Sequence, residues 1–380
     1  NLESSVSFRI CKPIRFIGRA LLKVRKSLAG FSLAFQSRNN SINSRLYKLF
    51  YPISFLVNKL KTILILKKFL NLPYVIIKLI KHDSFNGFIT ILFKLILKPK
   101  LACNEIKFIL SDGIYEKYIL TKNISLQKNK SNIAKEIVNF RLKPKISILM
   151  PVYKANKNFL DHAIKSVLDQ LYDNWELCIV DDNSRDKEIV KLLNKYVKSD
   201  PRIKTKYRKI NGHISVATND AFKISSGNYI TFLDHDDCLT PDALYQMVKL
   251  LNENDSLKFI YSDEDKIDEK GRRFDPHFKP DWSPHLLLSH NYICHLALVN
   301  REIFEDTGGL RKGFEGAQDF DFFLRITSKL NDNYIAHIPE ILYHWRAHAD
   351  STAQNIDNKN YAINASVKAL ESYLDDKGID

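Results

Sequence analysis

The chain has 380 residues, 45% hydrophobic and 27% charged, the balance of a folded protein rather than a disordered one. Its formal net charge is +15, but residues 1–100 carry 19 Lys/Arg against two acids, Glu3 and Asp83, leaving 39 of the 58 basic and 41 of the 43 acidic side chains to the rest. Five scattered cysteines (Cys11, Cys103, Cys178, Cys238, Cys294) without a Cys-x-x-Cys pair argue against a zinc site or a disulfide framework and fit a reducing compartment.

Residues 1–45 are basic, with Ser and Asn clusters. Residues 46–100 hold apolar runs, each interrupted by lysine, so no stretch of 18 uncharged apolar residues exists and a spanning helix is not expected. Short helices rich in Leu, Ile, Phe and Lys suit a membrane interface, where cations lie near anionic headgroups. The alternative is a helical region whose apolar faces pack on each other or on the rest of the chain. Residues 1–100 are therefore read as a basic, mainly helical N-terminal extension with possible membrane contact. They contain no recognisable nucleic-acid motif, and no nucleic-acid partner is expected. The chain begins at Asn1 and reads as a segment of a longer polypeptide. Residues 101–143 form a lysine-rich linker or small subdomain.

From Lys145 the pattern alternates. Strands are expected at 146–150, 175–180, 203–207, 228–233 and 259–262, and helices at 158–171, 186–197, 215–224, 241–251 and 319–330. Repeated units of this length predict an α/β fold, a mostly parallel sheet flanked by helices, with ligands beyond the carboxyl ends of the strands. A helical segment follows at 351–380.

Two acidic groups stand at such strand ends. Asp181-Asp182-Asn183-Ser184 follows the second strand, and Asp234-His235-Asp236-Asp237 follows the fourth. Carboxylates packed this closely raise each other's pKa unless a cation neutralises them. Mg²⁺ and Mn²⁺ take oxygen ligands, commonly one or two carboxylates together with substrate phosphates. Both groups also suit helix capping, which can coexist with binding. Two such sites on one crevice point to a nucleotide-sugar type pocket.

The segments Ile148-Leu-Met-Pro-Val-Tyr-Lys154, Leu177-Cys-Ile-Val-Asp-Asp-Asn-Ser184, Phe232-Leu-Asp-His-Asp-Asp237 and Gly316-Ala-Gln-Asp-Phe-Asp321 together resemble the ordered signature of family 2 glycosyltransferases. The resemblance covers about residues 144–350. Tyr261-Ser-Asp-Glu-Asp-Lys266, His277-Phe-Lys-Pro-Asp-Trp-Ser-Pro284 and Ile341-Leu-Tyr-His-Trp-Arg346 resemble the branch that builds bacterial surface polysaccharides, including O-antigen.

The resemblance implies a GT-A nucleotide-diphospho-sugar transferase fold and an inverting, metal-dependent transfer from a UDP or dTDP sugar to a glycan or lipid-linked acceptor. Pro151, Val152 and Tyr153 would line the nucleoside pocket, and Asp182, or its neighbour Asp181, would accept from a pyrimidine N–H. Asn219 takes the family's place near the nucleotide. Thr218 stands where relatives often have Arg, so Arg208 or Lys223 would have to meet the phosphates. Asp234 would reach ribose or the Mn²⁺ or Mg²⁺ ion, and Asp236 would ligate it. Asp237 would bind metal or hold the loop. His344, with His348 competing, would be a third metal ligand, and Arg346 would reach the diphosphate. Asp319 is the expected base. Gln318, Asp263, Glu264 and Trp282 are expected acceptor contacts. The implied location is the cytoplasmic face of the plasma membrane. A nucleotidyltransferase would want a glycine-rich phosphate loop after the first strand, and residues 151–158 have no glycine. A non-catalytic nucleotide- or glycan-binding module is the other rival.

Overall fold

A computed structural model describes residues 113–347 and 356–379. The expectations for residues 1–100 and for His348 lie outside the described residues. The chain divides into two units at residue 120, and apart from the start of the first helix all described elements belong to the second.

The first strand, β1 (Ile146–Val152), is buried along its whole length. A continuous apolar run of this kind suits a strand covered on both faces. It pairs in parallel with β2 (Trp175–Asp181) on one side and β4 (Tyr229–Phe232) on the other, and β2 pairs in parallel with β3 (Ile203–Tyr207). Beyond β4 the sheet continues through β8 (Ala297–Asn300), β6 (Phe259–Ile267), β9 (Ile335–Arg346) and β5 (Cys238–Leu239), with β7 (Arg273–His277) on β6. Strands β5, β7 and β8 run against the other six. The α/β class and the flanking helices are as expected, and the sheet is mixed at its far side.

Alternation along β1 divides the core. Ile146, Ile148, Met150 and Val152 pack with Leu160, Leu193 and Met247 from helices α2 (Lys157–Leu168), α3 (Lys187–Ser199) and α5 (Ala243–Glu253). Leu149 faces the opposite layer, with Ala217, Phe304, Phe322 and Ala365 from α4 (His213–Lys223), α7 (Arg301–Asp306), α8 (Gln318–Thr327) and α9 (Ile356–Lys377). The sheet is thus the middle of three layers. Caps fix several helix starts. Asn156 accepts from the N–H groups of Asn158 and Phe159, and Asp186 from those of Glu188 and Ile189. Helix α6 (Pro284–Ser289) begins with proline behind a Ser283 cap.

Two stretches differ from expectation. The linker contains a helix, α1 (Ile114–Asn139), within 101–143. Its apolar residues are spread around the helix rather than gathered into one strong stripe, which hid it from a reading based on apolar periodicity. Strand β6 continues five residues past Ser262, through Asp263, Glu264 and Asp265. No helix among the described residues is long and apolar enough to cross a membrane.

Candidate active site

The carboxyl ends of β1, β2 and β4 form one rim. At the first corner, the Asp182 N–H donates to Val152 O at 2.7 Å, and the Lys154 N–H donates to Ser184 Oγ at 2.9 Å, tying the two strand ends together. Lys154, Asn183 and Arg185 all take positive φ. Non-glycine residues adopt this backbone only at a cost. Pro151 and Val152 lie in the buried strand end, and Tyr153 is exposed.

The neighbouring acids differ sharply. Asp182 is saturated, pairing with Arg208 Nε at 2.8 Å and accepting from the Gly212 N–H at 2.9 and 3.0 Å. Asp181 is also buried, and its Oδ2 accepts from the Ser184 N–H at 3.2 Å. Its Oδ1 is buried with no partner among the described residues. An unpaired buried carboxylate oxygen is costly and marks a place for a donor. The open acceptor therefore belongs to Asp181, not to Asp182.

The cationic substitutes considered for Thr218 are engaged. Arg208 also bonds Asp220, and Lys223 bonds Asp220 at 3.1 Å. Asn219 spends its amide on the backbone of one residue: Nδ2 donates to Leu310 O at 2.7 Å and Oδ1 accepts from the Leu310 N–H at 3.0 Å. It anchors the turn at Gly309, where φ is +68° and a Cβ would lie 2.6 Å from Asn219 Oδ1.

The second corner is the acidic loop after β4. Asp234, Asp237 and His295 offer ligand atoms all within 4.8 Å of one another. Burial pushes the Asp234 carboxyl up, and His295 only partly offsets this. Burial, then Asp236 and Asp234, hold Asp237 well above the carboxylate range, against hydrogen bonds from the Arg346 N–H and Tyr343. Two carboxyls whose charged forms are disfavoured, beside an imidazole, are a donor set that a hard divalent cation would neutralise. The residues therefore fit Mn²⁺ or Mg²⁺.

The cluster includes Asp234 but not Asp236, whose place is taken by Asp237. Nor does it include His344. Nδ1 of His344 bonds Asp265 Oδ1, and burial holds its pKa down. Nδ1 of His235 is 3.6 Å from Asp236 Oδ1 and has no hydrogen bond. Arg346 is buried and faces the loop's backbone. Its Nε donates to Asp236 O at 2.6 Å, its Nη1 to Asp268 O at 3.1 Å, and its N–H to Asp237 Oδ1 at 2.7 Å. A guanidinium spent on main-chain carbonyls and stacked 4.7 Å from the Phe159 ring braces the loop rather than presenting to a diphosphate.

Helix α8 supplies the facing wall. Asp319, in its first turn, lines one cleft with Asp234, His295, Pro151, Thr218 and Gln318. Asn291 Nδ2 donates to Asp319 Oδ2 at 2.8 Å. Two residues on, Asp321 points into the protein and is clamped by Arg311 and Arg325. Gln318 Oε1 accepts from the Gly316 N–H at 2.8 Å.

The acids of β6 lie within the strand and each faces a base. Asp263 meets His337 Nε2 at 2.8 Å, Glu264 meets Lys279 Nζ at 3.3 Å, and Asp265 meets Arg273 Nε at 2.5 Å. All three are buried. Asp263 Oδ1 and Glu264 Oε2 are engaged by these bases and both residues are buried, so they offer little to an acceptor. Trp282 donates its indole N–H to Asp332 Oδ1 at 2.7 Å, and packs at the edge of the core. His295 was not among the expected site residues. It stands in no acidic or glycine-rich pattern, and only the folded chain brings it to Asp234.

Comparison with known proteins finds a family match over the same part of the chain. The sequence model described as "Glycosyl transferase family 2" matches residues 147–308. The chain is 46% identical over 231 residues to protein y4gI of Sinorhizobium fredii, covering 61% of this chain and 25% of that protein. It is 36% identical over 236 residues to the O-antigen biosynthesis protein RfbC of Myxococcus xanthus, covering 62% and 18%. It is 28% identical over 224 residues to a chondroitin synthase of Pasteurella multocida, covering 58% and 23%. The chain thus spans a quarter or less of the length of these relatives. Residues 147–308 are a glycosyl transferase family 2 domain.

Proposed function

We propose that this domain transfers a sugar from a UDP or dTDP sugar to a hydroxyl of a glycan or lipid-linked acceptor, with inversion, in bacterial surface-polysaccharide synthesis. The observation that carries the reading is the cleft at the strand ends, where Asp234 and His295 face Asp319. A catalytic carboxylate opposite a divalent-ion donor set is what displacement of a diphosphate requires. The O-antigen and chondroitin relatives support a polysaccharide product.

The open Asp181 Oδ1 accepts the imide N–H of uracil or thymine, an edge the two bases share. Pro151 and Val152 form the pocket floor, and the exposed Tyr153 flanks it. Asp234, Asp237 and His295 hold Mn²⁺ or Mg²⁺, with Asp236 adding negative charge at the loop. When bound, the ion supplies Lewis-acid stabilisation of the leaving diphosphate. Asp319, oriented by Asn291, takes the proton from the acceptor hydroxyl as it attacks the anomeric carbon. Gln318, beside Asp319 on the cleft wall, contacts the acceptor. Residues 1–100 bring the protein to the cytoplasmic face of the membrane through their positive charge.

The test is a panel of UDP and dTDP sugars with the full chain in Mn²⁺, Mg²⁺ or EDTA, read as nucleoside diphosphate release with and without membrane glycolipid extract. Metal-dependent release with at least one donor is expected. Tight nucleotide binding without release from any donor would instead favour a binding module, and no nucleotide binding at all would refute the reading.

A further inference from the structure

The Asp234, Asp237 and His295 cluster has a common neighbour. Tyr343, on β9, is completely buried, and it touches all three. Its hydroxyl accepts from the Asp234 N–H at 3.3 Å and donates to Asp237 Oδ2. Its ring stacks on the His295 imidazole, with centroids 4.6 Å apart and planes at 16°. One side chain thus fixes the backbone of the first residue, the carboxylate of the second and the ring plane of the third.

The other side of His295 is pinned as well. The His295 N–H donates to Glu264 Oε2 at 2.9 Å. Lys279, whose side chain is fully buried, donates to Ile293 O at 2.6 Å, to His295 O and to Glu264 Oε2 at 3.3 Å. An ammonium has three donors, and all three are used here. A buried charge pair costs desolvation, so a site that retains one gains geometric specification more readily than stability. The backbone of His295 is held at both its N–H and its C=O, while Tyr343 holds the ring.

We propose that Tyr343 is the positioning residue of the metal centre, with the Glu264–Lys279 pair completing the support of His295. This rests on the assignment of Asp234, Asp237 and His295 as ligands. A tyrosine that merely filled the core would be matched by phenylalanine, which keeps the volume and the stacking. Only the positioning role requires the hydroxyl, which sets the spacing of the two aspartates.

The experiment is Mn²⁺ binding to the full chain without nucleotide, followed by the loss of the free-ion paramagnetic resonance signal. Tyr343→Phe is expected to weaken Mn²⁺ about 10- to 100-fold, the usual cost of removing a residue that orients metal ligands. The affinity for UDP in EDTA should not change, and the melting transition should stay cooperative. Glu264→Gln is the second variant, since it keeps an oxygen for the His295 N–H but loses the ion pair. It should also weaken Mn²⁺ with UDP affinity in EDTA intact, and it decides the question alone if Tyr343→Phe does not fold. Wild-type Mn²⁺ affinity in the folded variants overturns the proposal. Failure of the unaltered chain to bind Mn²⁺ overturns the ligand assignment first, a result distinct from a normal site that ignores Tyr343.

Discussion

Asp181→Asn and Asp182→Asn form a matched pair of perturbations that separate binding from folding. In Asp181 the inner oxygen is committed to the Ser184 N–H and the other is open. An asparagine that keeps the inner contact places its amide nitrogen in the open position, facing a pyrimidine N–H donor to donor. The loss is one hydrogen bond to a charged group, about 1.5–3 kcal/mol. At about 1.4 kcal/mol per tenfold, UDP should bind roughly 10- to 100-fold more weakly. Stability should change little, because the buried oxygen that is altered has no partner in the free protein. Asp182→Asn should behave oppositely: it breaks a buried pair with Arg208 and should lower the melting temperature. Isothermal titration with UDP and thermal melts read both effects. If Asp181→Asn binds UDP like the unaltered chain, or if the affinity loss falls on Asp182→Asn with no loss of stability, the nucleoside assignment is wrong.

Asp319→Ala should abolish turnover while leaving UDP-sugar binding intact; retained turnover would remove Asp319 from the base role. Glu176 gives a pH prediction. Burial alone would raise its carboxyl, but Lys204, Ser147, the Ser226 N–H and Lys145 outweigh burial and bring it down to about 2. A depressed carboxylate stabilises the fold above its unfolded pKa, and that contribution is lost as pH falls towards the folded value. Glu176→Gln should therefore melt lower at pH 7, with the gap to the unaltered protein narrowing as the solution is acidified below the ordinary glutamate range; a gap independent of pH would refute this. Deleting residues 1–100 should reduce association with anionic liposomes, measured by co-sedimentation, and unchanged partitioning would count against a membrane role.

The near half of the sheet was legible because its chemistry is local. Strands β1, β2 and β4 are apolar runs, acids follow β2 and β4, and Asn156 and Asp186 cap the helices that follow β1 and β2. The far half was not. Strand β9 contains Pro339 and Glu340 among its apolar positions, and the register with β6 shifts there between Ser262 and Glu264. Proline cannot donate to a sheet ladder, so the run does not look like a strand. Three successive acids in β6 imitate a turn until their partners, far along the chain, are known. The site divides in the same way. Asp234 and Asp319 stood out as acids at the ends of elements. His295 carries no motif, and Tyr343 lies in the 341–346 segment where the expected site residues are His344 and Arg346, not the tyrosine; the positions of both depend on Glu264, Lys279 and Asp237, contacts that no spacing in the sequence reveals. Asp181 and Asp182 look equivalent as letters, and only the Arg208 pairing separates them.

The charge ladder along β6 has a consequence for assembly of the sheet. Asp263, Glu264 and Asp265 each take a base from a different place: His337 on β9, Lys279 after β7, and Arg273 on β7. Sliding β9 or β7 along β6 would strand ionised groups in the interior, at a cost no apolar repacking recovers. The three pairs therefore act as a combination lock on strand alignment, and the one alignment that opens it delivers Tyr343 to the acidic loop.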